Sequence, residues 1–176
     1  MTSGPDVAGL LRLVRQIPLP PELRDLTGAD DSRVAAIAAR YDRQLPEEYV
    51  RWLRVCDGSY AGPGGIFGVR DALDVLGFHP DWAGRGWLPV AGDGCGNYYV
   101  LDLSREHIDR DAVYFVDTMA GEGLTYLVAS SFLRFLRFLL EGELGERRWP
   151  FRAGHVSAED PEVLLLRDEE LFPWSG

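Results

Sequence analysis

The segment from Phe132 to Leu140 constrains this chain more than any other. Phe132, Leu133, Phe135, Leu136, Phe138, Leu139 and Leu140 make it apolar nearly all round, interrupted by Arg134 and Arg137. Ser130 and Ser131 stand just ahead of it, residue types that cap helices. A helix without a polar face cannot lie on a surface and has to be wedged into a core. It is too short to cross a bilayer, which takes roughly 20 apolar residues, and no other run comes close. The fold must therefore bring other elements around it.

The preceding sequence supplies them. Trp87-Leu88-Pro89-Val90-Ala91 and Tyr98 to Leu103 read as strands joined by the tight turn Gly92-Asp93-Gly94-Cys95-Gly96-Asn97. Ala112 to Asp117 and Leu124 to Val128 give two more strands, and Ile66-Phe67-Gly68-Val69 a short further candidate. Asp71 to Leu76 reads as one or two helical turns. Upstream, Val7, Leu10, Leu11 and Val14 make an apolar helical stripe that Pro18, Pro20 and Pro21 stop. A second helix starts at the cap Asp30, with Val34, Ile37, Ala38 and Tyr41 inward. A third begins in Leu45-Pro46-Glu47-Glu48-Tyr49, buries Tyr49, Trp52, Leu53 and Cys56, and ends at Asp57-Gly58. Beyond Gly145 come Trp149-Pro150-Phe151 and a short segment from Asp160, a helix start before Pro161, to Glu170. The expected fold is α+β: an antiparallel-rich sheet of about four to six strands, a meander, with helices packed on one face.

With 176 residues, 46% hydrophobic and 26% charged, the chain fits one globular domain spanning residues 1–176. The N-terminal Met1-Thr2-Ser3-Gly4-Pro5-Asp6 lacks the basic start and apolar stretch of a secretory signal, so a cytoplasmic location is expected. The formal net charge of −10 repels phosphate backbones and anionic headgroups. Direct nucleic-acid and membrane partners are thereby disfavoured, and a basic protein partner is favoured.

Catalytic and ligand motifs are weak. The Gly92–Asn97 turn lies between two strands, not between strand and helix, and lacks the lysine of a phosphate loop. His107 with Asp111 and His155 with Glu159 have four-residue spacing but sit in apparent loops, so surface or capping roles are expected and no metal. Ser130 and Ser131 lack a nucleophile elbow and read as caps. Asp102 and Asp117, near two strand ends, could in principle act as a carboxylate pair, but strand-end aspartates more often make turns. Cys56 and Cys95 are too few for a disulfide scaffold, and two reduced thiols are expected, although pairing depends on their separation. Trp82, Trp87, Tyr60, Tyr98 and Tyr126 cluster near loops, as interface anchors do and as core residues with a polar handle also do.

In order and spacing these segments resemble the SUKH superfamily, which contains bacterial toxin-immunity proteins and fungal regulators of cell-wall assembly. The resemblance rests on Leu45-Pro46-Glu47-Glu48-Tyr49 with Trp52-Leu53, Ile66-Phe67-Gly68, and Trp87-Leu88-Pro89-Val90-Ala91-Gly92-Asp93-Gly94. It continues through Gly96-Asn97-Tyr98-Tyr99-Val100-Leu101-Asp102, Val113-Tyr114-Phe115-Val116-Asp117 and Ser131-Phe132-Leu133-Arg134-Phe135-Leu136. It covers about residues 45–141, leaving a helical extension, 1–44, and a tail, 142–176. Two positions depart from the pattern: Asn97 stands where aspartate is usual, and Asp57-Gly58 where asparagine-glycine is.

The resemblance implies a domain without catalytic residues or cofactor that binds and neutralises a cognate toxin, often a nuclease or deaminase with a basic surface. A regulatory scaffold of the cell-wall type is the alternative, and a small-ligand binder or enzyme a second. Partner contacts are expected at Asp71, Asp74, Asp81, Trp82, Asp93, Asp117 and Glu122, on loops around Asp71–Trp87, Gly92–Asn97 and Asp117–Gly123.

Overall fold

A computed structural model describes residues 5–121, 123–145 and 153–175. Trp149-Pro150-Phe151 and Glu122 lie outside the described residues. The expected α+β fold is the one observed. Strands β1 (Trp87–Gly92), β2 (Tyr98–Asp102), β3 (Ala112–Val116) and β4 (Tyr126–Ala129) form a four-stranded antiparallel meander in the order β1-β2-β3-β4. The helices are α1 (Val7–Gln16), α2 (Asp31–Ala38), α3 (Glu47–Leu53), α4 (Val69–Phe78), α5 (Trp82–Arg85), α6 (Phe132–Glu143) and α7 (Ala153–Glu159).

Helix α6 is the wedge its sequence requires, with eight residues from Phe132 to Glu141 buried. Strand alternation puts Tyr99 and Leu101 on the face toward it, and the Tyr99 and Phe135 rings lie 5.0 Å apart. From its other side α3 brings Tyr49 edge-on to Phe132 at 5.1 Å, and α1 packs along it. The opposite sheet face carries Tyr98, Val100 and Tyr114. Trp82 of α5 closes it at one end, 5.5 Å from the Tyr98 ring, and His107 at the other, 6.0 Å from Tyr114. The Arg167 amide donates to the His107 carbonyl (2.9 Å), so the C-terminal segment straps that loop down. Buried apolar residues form one cluster from Leu10 to Leu171.

Two segments differ from their sequence readings. The short strand at Ile66–Val69 shrinks to Ile66, which bridges Ser59 and Ala91, and α4 starts at Val69 and runs ten residues. The reason lies at its N-terminus: Asp57 Oδ1 accepts from the Val69 amide (2.6 Å) and Asp71 Oδ2 from Gly68 (3.1 Å). Two carboxylates thus satisfy orphan amides and favour the positive helix end. The stretch Asp71–Trp87 is consequently mostly helix, not loop. Asp160 does start a 3-10 helix, Pro161–Leu165, but α7 before it has no counterpart in the sequence reading.

The antiparallel order gives the sheet two distinct ends. Gly92, Tyr98, Val116 and Tyr126 lie at the turn end; Trp87, Asp102, Ala112 and Ala129 lie at the other. That second end is a clamp. Ser130 was expected to cap α6, yet only Ser131 does, accepting from the Arg134 amide. Ser130 instead donates its amide and hydroxyl to the fully buried Asp160 at 2.7 and 2.5 Å. Glu48 reaches across from α3 and accepts from the Phe132 amide at 2.7 Å.

Candidate functional site

At the turn end the backbone is held by side chains bonded to turns. Asp93 Oδ1 accepts from the amides of Cys95 (2.7 Å) and Asn97 (3.0 Å), and its Oδ2 from the Asn97 side chain (2.8 Å). Burial raises the Asp93 pKa, but these bonds outweigh it and hold the carboxyl below its usual range. Asn97 Oδ1 then accepts from the Thr118 amide (3.1 Å), tying the β1–β2 turn to the segment after β3. Here Asn97 serves the departure from the aspartate pattern well, because its amide donates to Asp93 while its oxygen accepts from Thr118. Asp117 folds its own turn, accepting from the Met119 amide at 2.9 Å and the Ala120 amide at 3.2 Å. The Asp117 amide donates to Thr125 Oγ1 (2.8 Å).

Glycine is required beside this turn. Gly94 has φ +78°, and a Cβ there would lie 2.6 Å from the Pro63 carbonyl oxygen. On Gly64 a Cβ would meet the Gly92 carbonyl carbon at 2.5 Å. The Gly62-Pro63-Gly64-Gly65 loop therefore docks backbone to backbone on the β1–β2 turn. Gly92 and Gly94 serve this contact, and Gly96 serves the turn itself with its left-handed φ of +96°.

Next to it the α4–α5 corner packs on the sheet through rings. His79 stacks on Trp82 at 4.2 Å and 13°, and Tyr98 meets both edge-on at 5.5 Å. All three histidines are half-buried against aromatic side chains, His107 on Tyr114 and His155 on Phe138; of the surface or capping roles expected, His79 fills a capping one, at the C-terminus of α4. Between the corner and the β3–β4 connection lies a cavity of about 160 Å³, walled by His79, Asp81 and Trp82 on one side and Val116, Thr118 and Gly121 on the other. Phe78 and Met119, each adjoining one wall in sequence, are 79% and 90% exposed.

The predicted contact residues divide between two places. Asp81, Trp82, Asp93 and Asp117 gather at the turn end; burial and the charges of Asp93 and Asp117 raise the pKa of Tyr126 there. Trp82 forms wall, not surface, being 5% exposed, and the Asp93 carboxylate is engaged in its own turn. Asp71 lines a different, polar cavity of about 340 Å³ with Asp25, Arg33, Asp57 and Tyr60. Arg33 pairs with Asp57 across it at 2.5 Å. Asp74 sits beside that cavity's Arg33, in the groove between α2 and α4, 3.8 Å from Arg70. Glu122 lies outside the described residues. The sequence reading missed Phe78 and Met119: Phe78 fell beyond the two turns assigned to Asp71–Leu76, and an isolated Met in a turn carries no periodic signal.

The arrangement offers apolar contact and hydrogen-bond acceptors. Asp102 and Asp117 are not a pair, since four residues of β2 separate their ends, roughly 13 Å. Burial pushes the Cys56 thiol up to about 12, and both cysteines are free, Cys95 exposed on the turn. Among the described residues no three His, Cys, Asp or Glu converge on a metal position. None of the described helices is long and apolar enough to cross a membrane.

A family model described as the SMI1 / KNR4 family (SUKH-1) matches residues 28–137, well over half of the chain. The match spans α2 through the whole sheet into α6, and leaves out α1 and the C-terminal segment. No curated protein matches the chain.

Proposed function

Because the chain belongs to the SMI1 / KNR4 family (SUKH-1), we propose that it is a non-catalytic protein-binding domain that neutralises a cognate toxin of nuclease or deaminase type in the cytoplasm. One observation carries the choice of face. At the turn end exposed Phe78, the last residue of α4, and exposed Met119 are close in sequence to Asp81 and Asp117, and Asp117 bonds only within its own turn. At the clamp end the carboxylates of Asp160 and Glu48 are consumed by backbone amides. A basic toxin surface is the partner such an end suits, gaining speed of encounter from the net charge of −10 and register from the individual acids.

The test is a pull-down of the tagged chain against the product of each neighbouring gene. The expected result is one neighbour that is toxic when expressed alone, binds the chain and is silenced by it. Binding should weaken with salt and in an Asp81→Asn, Asp117→Asn double variant. A toxic partner held equally tightly at high salt and by that variant removes the electrostatic part. Absence of any toxic or bound neighbour overturns the immunity reading and leaves the regulatory scaffold.

A further inference from the structure

We propose that the partner enters the turn end with an apolar side chain flanked by lysine or arginine, inserted between Phe78 and Met119 into the cavity below them; this rests on the protein-binding reading above. Phe78 and Met119 are the two most exposed large hydrophobic residues among those described, at 79% and 90%. Single exposed apolar residues are ordinary. In sequence these two adjoin residues on opposite walls of one cavity, Phe78 next to His79 and Met119 next to Thr118. About 160 Å³ is room for one side chain of leucine or methionine size, not for a cofactor.

The charges around the opening select what flanks that side chain. Asp81 and Asp117 carry the negative charge, with Asp93 behind them in its turn. Arg85 pairs with Asp81 at 2.9 Å and lies over the Trp87 ring at 5.0 Å, so the uncompensated negative charge rests on Asp117 and Asp93. The opening is thus net acidic around an apolar centre, the pattern in which buried anchors give affinity and rim charges give steering. The floor is already in place, because Trp82 is fixed by His79, Trp87 and Tyr98 and needs no rearrangement to receive an anchor. The polar cavity at Asp57 does not compete for this role: its buried carboxylate, Asp57, is already paired with Arg33.

Met119 allows a direct test, as the sequence holds only one other methionine, Met1. The full chain, labelled with 13C at methionine methyls, is titrated with a short peptide carrying leucine between lysines. Two control peptides replace the lysines by glutamate or the leucine by alanine. The expected result is a saturable shift of the Met119 methyl signal with the first peptide, lost with either control. Affinity should fall about tenfold in Phe78→Ala, the scale of one interface anchor. No shift at Met119, or an equal shift with the glutamate peptide, overturns the proposal. Because no toxin takes part, that failure is separate from failure of the immunity reading. Conversely, a toxin bound equally well by Phe78→Ala sinks this docking surface and leaves the immunity reading standing.

Discussion

The two ends of the sheet are both rich in carboxylates, and they put them to opposite uses. At the clamp end Asp160 and Glu48 accept from backbone amides of Ser130 and Phe132, and Asp102 from Ser104 (2.9 Å). Asp160 and Glu48 join segments distant in sequence, Asp102 bonds within its own turn, and all three are largely withdrawn from water. At the turn end Asp93 and Asp117 bond only within or next to their own turns, and Asp81 pairs with its neighbour Arg85. One end fastens the chain to itself; the other holds its surface still while leaving it open. A binding face is best placed where bonds at the turns fix the backbone and leave side chains exposed.

The comparison meets its largest test at Asp160. In Asp160→Ala the buried amide and hydroxyl of Ser130 lose their acceptor, and the anchor of the C-terminal segment goes with them. A loss of about 3 kcal/mol in urea unfolding is expected, since each orphaned buried group costs about 1–3 kcal/mol. Partner binding at the turn end should persist in the fraction that remains folded. A cost below 1 kcal/mol would show that the clamp does not fasten the chain.

Gly94→Ala is the corresponding break at the turn end. The left-handed φ of +78° and the 2.6 Å approach to the Pro63 oxygen both oppose a Cβ. Strain of this kind costs about 1–3 kcal/mol, so unfolding should shift by about 2 kcal/mol. Unlike Asp160→Ala, this variant should also weaken partner binding, because the displaced turn carries Asp93 and Asn97 toward the cavity wall at Thr118. Equal binding by both variants would erase the functional distinction between the ends.

The difference between the ends also sets how much the sequence disclosed. Helix α3 and the wedge α6 follow from apolar spacing, and β1 to β4 from short apolar runs broken by turn residues. The glycine-rich turn was readable as a turn, because its flanks are strands. What sequence left hidden is long-range. Nothing near Asp160 shows that its acceptor capacity belongs to Ser130, thirty positions away. Helix α4 looked shorter than it is because one carboxylate at its N-terminus arrives from Asp57, twelve residues upstream. At the candidate site the acids were legible one by one. Their division between the turn end and the Arg33–Asp57 cavity depends on α4 being a helix, which turns Asp71 and Asp74 away from Asp81.

A smaller effect distinguishes the ends by pH. Burial raises the carboxyl pKa of Asp102, and of Glu48, above its ordinary value. An acid whose folded pKa is raised stabilises the fold fully below its unfolded value, near 3.8 for Asp102. That contribution is lost as pH rises through the folded value. Asp93 has the opposite sign: its lowered pKa gives stability above the unfolded value that is lost as pH falls through the folded one. Asp102→Asn keeps an oxygen for the Ser104 amide and removes the buried charge. It should gain stability at neutral pH over the native chain and flatten the profile on its alkaline side. Asp93→Asn should lose stability at neutral pH and leave the acid side least changed. Two profiles of the same sign would break the assignment.

The smallest effect costs no stability and reports on openness itself. Cys95 is exposed at the apex of the β1–β2 turn, while Cys56 is buried with its thiol pushed up to about 12. Thiolate is the reactive form, so both accessibility and ionisation protect Cys56. A maleimide should modify one thiol of the folded chain, Cys95, and reach Cys56 only on unfolding. Bound partner should slow the Cys95 reaction without altering the unfolding-limited rate at Cys56, because the turn is covered and the core is not. Slow, partner-independent labelling of Cys95 would mean that the turn tip lies outside the contact. The docking surface would then be confined to Phe78, Met119 and the cavity between them.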